Sequence, residues 1–332
     1  MLSIHDRRWS KNKAELINEV AKGTGSRKEA QATADSIFDA IGWMVFPVSE
    51  NKNSFPTEKS NRIVLFLDLR DSTEILINFE QGIYQKTEER SESEFTYEKF
   101  ISDVHKTSYR ELYLGHENTY AEIYGDGVMG VFPEDNTKYI LENLYQLTRK
   151  MWIYNDSRGV GVSRPRIDIG CGITVGTVSF AYYALDERHH AVGHCIHEAA
   201  RIEGVSGLYD ARILVSDRFL DFAEGFLNSD PRFSSRFIDR VLLKGFREPL
   251  TLFELLLDND PRFDIKKNSV PLYSEAYSKY CEKKWEEAKE IFYQIYHEYG
   301  LRLGAVMAKR CEILAGRSLT PDWNGTWELK DK

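Results

Sequence analysis

Two short apolar strands that each run into an aspartate constrain this chain more than any other feature in it. Residues Phe66 to Thr73, FLDLRDST, read as a strand that delivers Asp68 and then enters a polar turn able to open a helix. Residues Tyr120 to Phe132, YAEIYGDGVMGVF, read as two alternating strands broken by Gly125, Asp126 and Gly127, a hairpin with Asp126 at its tip. Taken singly, Asp68 would be a helix cap and Asp126 an ordinary turn residue. Taken together, two strand-borne carboxylates can converge on two divalent cations ~4 Å apart, the arrangement that phosphoryl transfer uses. The amides of Arg70 to Thr73, Ser72 among them, stand at the helix start, where phosphate oxygens are held.

From Arg62 to about Leu257, β-rich runs such as RIDIGCGITVGTVSF, ARILVS and LTLFELLL alternate with helix-compatible pieces, which predicts a mixed α+β domain over residues 58–258. Residues 1–57 hold helix-favouring stretches and then a polar linker, SENKNSFPTEKSN. Beyond the breaker-rich DNDPRFDIKKNSVP, residues 268–332 predict two amphipathic helices, Leu272 to Tyr299 and Leu301 to Ala315. The phrase KWEEAKEIF looks like part of one tetratricopeptide-type helix pair. A single copy is too little for a solenoid, so the pair is expected to be a docking or dimer-bracing appendage. The closing PDWNGTWELKDK is expected to fold back through Trp323 and Trp327.

Composition excludes several classes. A formal charge of −8 speaks against a broad nucleic-acid-binding face, although a single triphosphate that brings its own cations stays acceptable. The four cysteines, Cys171, Cys195, Cys281 and Cys311, have no zinc-site spacing and read as free buried thiols in a reducing compartment. The amino terminus lacks a signal-peptide pattern, and no apolar run approaches the roughly 18 residues needed to span a bilayer. A cytoplasmic protein that does not engage a membrane is expected.

Two further phrases follow the aspartates. GHCIHEAARIEG, Gly193 to Gly204, is a helix-compatible run with His197 and Arg201 four apart on one side. VLLKGFREPLTLFEL, Val241 to Leu255, is two strands around a turn, with Lys244 just before it. Alone, Arg201 would be a solvated residue and Lys244 surface decoration.

In this order the four phrases resemble the catalytic core of class III adenylate/guanylate cyclases, over about residues 60 to 257. The resemblance implies a ferredoxin-like domain with an antiparallel-rich sheet, acting as a homodimer with its sites at the subunit boundary. It implies that Asp68, Asp126 and the carbonyl of Leu69 hold two Mg²⁺ or Mn²⁺ ions. Arg201, relieving charge on the α-phosphate, and Lys244, gripping the terminal phosphates, would come from the other subunit. Where the family commonly has Asn four residues before its Arg, this chain has His197, whose ring nitrogen can replace the amide donor and would make activity pH-sensitive. Asp71 stands where Gly is common and is expected to cap the following helix.

Base choice in the family is read mainly at two positions, occupied here by Glu122 and His190. An ionised Glu122 accepts hydrogen bonds and so wants a ring N–H, which guanine and uracil offer and adenine and cytosine do not. His190 can donate to guanine O6 or uracil O4, and its bulk favours a pyrimidine. The bland alternative leaves Glu122 on a strand edge and His190 in the loop DERHHAVG. The compact build also looks like the uridylate cyclases of bacterial anti-phage Pycsar systems, which would make cyclic UMP from UTP for a separate effector. A guanylate cyclase acting on GTP is the alternative. A palm-type polymerase and an inactive cyclase fold compete less well, because Gly127 stands where such polymerases place a second Asp and because the charged residues are all retained.

Overall fold

The structure, a computed structural model, describes residues 59–84, 96–113, 119–157, 160–183 and 188–329. The helices expected within residues 1–57 lie outside them. The chain begins with β1 (Ser60–Leu69), α1 (Ser72–Glu80), α2 (Tyr97–Tyr113), β2 (Tyr120–Tyr124), β3 (Gly127–Pro133) and α3 (Thr137–Asn155). It continues with β4 (Ile169–Tyr183), β5 (Arg188–Val192), α4 (His194–Ser206), β6 (Ile213–Ser216), α5 (Asp217–Leu227), β7 (Phe233–Leu242) and β8 (Leu250–Leu257). Four helices and a short strand follow: α6 (Phe263–Asn268), α7 (Val270–Cys281), α8 (Trp285–Tyr299), α9 (Arg302–Ala315) and β9 (Trp327–Glu328).

The strands form one sheet in the order β2-β3-β1-β4-β6-β8-β7-β9, with β5 paired to β4. β4 and β6 are parallel, as are β7 and β9, and the other pairs are antiparallel. This is the mixed α+β architecture that the alternating runs predict. The period-2 pattern sorts β1 onto two faces. Ile63, Leu65 and Leu67 pack with Leu112 of α2, Leu144 of α3 and Phe219 of α5, whereas Val64 packs with Cys195 and Ala199 of α4.

On that second face the helix backbone rests directly on β4. A Cβ on Gly172 would lie 2.3 Å from the Glu203 amide nitrogen and 2.4 Å from the Ala199 carbonyl, so no side chain fits there. Glu198 fixes the rotation of α4 from its buried side: Thr174 Oγ1 donates to it at 2.6 Å, and Arg218 pairs with it. His197 and Arg201 are thereby turned outward.

The C-terminal part departs from its expected form in one way. The stretch Leu272 to Tyr299 is two helices, α7 and α8, because the chain turns at Lys283 with φ 63°, a left-handed conformation that no Gly or Pro announces. The helices also share their core with the sheet. Tyr280, Phe292, Met307 and Leu314 share one hydrophobic cluster with Leu214, Val241 and Leu252 of the sheet. Trp323 packs edge-on to Tyr280 and Trp285, and β9 pairs with β7, so the tail does fold back as expected.

Two buried charge clusters pin these helices to the sheet. Asp239 of β7, fully buried, pairs with Arg310 of α9 and accepts from Tyr209 at 2.6 Å. Glu254 of β8, 1% exposed, lies 2.6 Å from Arg236 and 2.7 Å from Lys266, itself 1% exposed. From there the ion pairs continue through Asp260 and Arg212 to Asp168 and Arg70. Of the four cysteines, all free, Cys281 is half-buried rather than buried. No helix of the described residues is long and apolar enough to cross a membrane.

Burial alone would raise the Glu254 pKa, but the Lys266 ammonium and the Arg236 guanidinium outweigh it and hold the carboxyl at about 2, below its ordinary 4.5. The folded value is depressed, so this contribution is present above the ordinary value and is lost as pH falls from about 4.5 through about 2. Replacing Glu254 by Gln leaves two buried cations unneutralised. Urea titration should show a loss of about 3–5 kcal/mol at neutral pH, and the difference between variant and parent should shrink across that acidic window.

Candidate active site

Asp68 is the penultimate residue of β1 and lies on the α4 face, in phase with Val64 and Phe66. β1 pairs with β3 up to Leu67 opposite Val128, so the next position along faces Gly127. A Cβ on Gly127 would come within 2.9 Å of Asp68 Oδ1 and 3.0 Å of the Leu67 carbonyl. The bare glycine therefore leaves room for the Asp68 carboxylate beside the hairpin. Tyr124 pairs with Gly127, which makes Gly125 and Asp126 a two-residue turn, with Gly125 at φ 62°. Asp126 stands at the tip as its sequence implies.

Two residues of α2 report on these carboxylates, and neither carries a sequence signal of its own. The Tyr97 hydroxyl is raised above its ordinary pKa by burial and then by the charges of Asp126 and Asp68, so both acids lie within electrostatic reach of one phenol. His105 is lowered by burial, and its ring bonds the main chain of Asp126, while its Nε2 is buried without a hydrogen-bond partner. The helix thus props the turn from behind. Leu69 ends β1 with its side chain buried.

The turn after Leu69 differs in part from its expected role. Asp71 does occupy the N-cap position of α1, but in the left-handed conformation, φ 57°, and it caps through its carbonyl alone, with no side-chain capping bond. That geometry is one that glycine adopts freely and aspartate tolerates. Arg70 is also not available to a ligand: its amide donates to the Asp168 carbonyl at 2.9 Å, and its guanidinium bonds Asp168, Ser206 and the Ala211 carbonyl. Folding the arginine inward completes the ion-pair chain described above. The first amide of α1 bonded within the helix is that of Ile75, to Asp71, so Ser72 and Thr73 keep amides without a helical acceptor.

Glu122 and His190, far apart in sequence, meet across β2 and β5. His190 Nδ1 lies 3.5 Å from Glu122 Oε1, with both side chains partly buried at 28% and 24% exposure. The segment around His190 is a strand, opposite Ala181 of β4, and not a loop. Glu122 Oε2 accepts from Tyr120 at 2.6 Å and from Tyr124 at 2.7 Å.

His197 is exposed on α4. Arg201, one turn on, and the exposed Lys244 line one shallow depression together with Gly204, Leu243 and Leu329. This cationic place is not the acidic one. Strands β4, β6 and β8 stand between β1 and β7, a spread of ~19 Å at ~4.8 Å per strand. β1 and β7 also run in opposite directions, so Asp68 and Lys244 leave the sheet at opposite ends.

The acidic pair fits hard divalent cations by its chemistry: two carboxylates and a main-chain carbonyl are all oxygen donors. Among the described residues there is no group of three or more His, Cys, Asp or Glu able to hold a metal ion, so the protein itself offers few ligands.

No family model matches the sequence. A stretch of 137 residues, 40% of this chain, is 29% identical to an adenylate cyclase of Anabaena cylindrica and spans 26% of that protein, about a quarter of its length. Among solved structures, the adenylyl cyclase CyaB of P. aeruginosa is similar at 17% identity and TM-score 0.43, over 60% of this chain and 96% of that one. The guanylyl cyclase Cya2 is similar at 18% identity and TM-score 0.42, over 62% and 96%. At these scores the structures are alike in outline only. The resemblance to class III nucleotide cyclases stands on the four phrases and the curated relative.

Since Gly127 leaves no room for a Cβ, Gly127→Ala should push the Asp68 carboxylate out of place. Isothermal titration with Mn²⁺ should show at least a ~10-fold loss of affinity relative to the parent, in line with the sensitivity of metal sites to ligand placement.

Proposed function

We propose that this chain is a class III nucleotide cyclase that works as a homodimer, converting UTP to cyclic UMP and pyrophosphate, with GTP as the alternative substrate. The observation that carries the reading is the placement of Asp68 and Asp126 at adjoining ends of β1 and the β2–β3 hairpin, where Gly127 leaves room for the Asp68 carboxylate. Asp68, Asp126 and the Leu69 carbonyl would hold divalent cations, Mg²⁺ or Mn²⁺. When bound, these ions neutralise the triphosphate and favour ionisation of the ribose 3′-hydroxyl.

The rest is positioning by the chain's own groups. The 3′-oxygen bonds to the α-phosphorus, the bond from that phosphorus to the bridging oxygen breaks, pyrophosphate departs, and the hydroxyl proton passes to water. Arg201 donates to the α-phosphoryl oxygens as charge builds there, and Lys244 holds the terminal phosphates. His197, on the Arg201 face, orients the ribose. The amides of Ser72 and Thr73 receive phosphate oxygens at the start of α1. Because Asp68 and Lys244 of one copy leave the sheet at opposite ends, a complete site takes its lysine from a second copy, together with Arg201, which lines the same depression as Lys244.

Glu122 and His190 supply an acceptor beside a donor, the pattern that guanine and uracil share. The size of His190 favours the smaller ring. On this reading the product is a second messenger in bacterial anti-phage defence, made in the cytoplasm and sensed by a separate effector.

Purified protein incubated with each of ATP, GTP, CTP and UTP plus Mn²⁺ should yield a cyclic monophosphate, identified by mass, from UTP first. Retained turnover in Asp68→Ala or Asp126→Ala would end the assignment. Asp68→Ala and Arg201→Ala should each be inactive alone. Mixed in equal amounts they should recover roughly a quarter of parental activity, since half the dimers then carry one intact site of two.

A further inference from the structure

Three side chains of β2, Tyr120, Glu122 and Tyr124, alternate onto the same face of the strand. Both phenols turn inward along the sheet and end on the same carboxylate oxygen, at 2.6 and 2.7 Å. Each ring has an aromatic neighbour, although Tyr124 is half-exposed. Tyr120 packs against Phe180 of β4 with ring centres 5.6 Å apart, and Tyr124 stacks on Phe66 of β1 at 6.1 Å and 26°. The backbone amide of Ala191, the residue after His190, bonds the Tyr120 hydroxyl, so β5 holds the clamp as well as the histidine. Burial first, and then the bond to Glu122, raise the Tyr120 phenol above its ordinary range, so it stays protonated and donates.

We infer that Tyr120 and Tyr124 are specificity-determining positioning residues: they saturate Oε2 of Glu122 and so fix its Oε1, beside His190, as a directional acceptor for a ring N–H of the nucleotide base. This rests on the nucleotide-binding reading above. Two hydroxyl donors on one oxygen both stabilise the charged acceptor and remove its rotation. A base presenting N–H to Oε1 then makes a charge-assisted bond without reordering the side chain. A base presenting a lone pair meets an acceptor that cannot turn away, a mismatch of the kind that sites built around a hydrogen bond use to discriminate. Without the clamp, Glu122 on an edge strand could rotate toward solvent and the mismatch would relax.

The test uses Tyr120→Phe, Tyr124→Phe and the double variant, each also combined with Glu122→Ala, after confirming parental thermal midpoints. Turnover of the four triphosphates and calorimetric binding of 3′-deoxy-UTP, 3′-deoxy-GTP and 3′-deoxy-ATP are both read. The expected result is a rise in KM for UTP and GTP with kcat little changed. The preference for the N–H bases over ATP should fall ~10-fold in the double variant, with no further effect once Glu122 is Ala. A kcat loss equal for all bases, or an effect persisting in the Glu122→Ala background, would show a merely structural role and overturn the inference. Selective binding without turnover would refute the cyclase reading and leave the clamp standing. No binding of any triphosphate would overturn both.

Discussion

Glu254, enclosed between Lys266 and Arg236, is the point on which the rest of the architecture turns. A carboxylate at 1% exposure persists as a charge only because two cations face it, and those cations come from different parts of the chain: β7 and α6. The cluster therefore requires the C-terminal helices to be seated before the sheet is electrostatically closed. From Lys266 the signs alternate through Asp260, Arg212 and Asp168 to Arg70, two residues past Asp68. Arg70 is drawn inward by that chain, and its neighbour Leu69 ends β1 in a defined place.

Much of this was legible in the residues. Alternation in FLDLRDST and YAEIYGDGVMGVF locates both aspartates and predicts the turn between β2 and β3, because period 2 and a Gly-Asp turn are strong local signals. What was hidden is non-local. Arg70 looks like a phosphate ligand until its partners at Asp168, Ser206 and Ala211 are known, and all three lie about a hundred positions or more away. DERHHAVG shows no apolar alternation, so β5 emerges only from its pairing with β4. The break between α7 and α8 rests on a left-handed lysine, which nothing nearby marks. Tyr97 and His105 sit on an amphipathic helix whose pattern says which face is apolar but not that its other residues prop Asp126.

The site also divides in a manner that composition does not disclose. Acids gather at the β1 end with the tyrosines and Glu122 beside them, while Arg201 and Lys244 share a depression near β7 and β9. Keeping the two charge types apart within a copy avoids their mutual neutralisation as a closed internal salt bridge, which would leave neither free to meet phosphate or metal. The buried face of α4, seated on β4 at Gly172 and tied by Glu198, makes the outward aim of Arg201 a consequence of packing rather than of loop conformation.

Among the described residues, β2 closes one border of the sheet and has a single neighbour, β3. Side chains on such a border tolerate exchange more readily than those of interior strands, because fewer contacts must be remade when one of them changes. Asp68, by contrast, rises from a strand flanked on both sides, where drift would disturb the whole interior. Glu122 and Asp68 thus stand in parts of the molecule that differ in mutational freedom, and under the proposed roles a lineage built on this scaffold could trade one nucleobase for another without rebuilding the acidic pair.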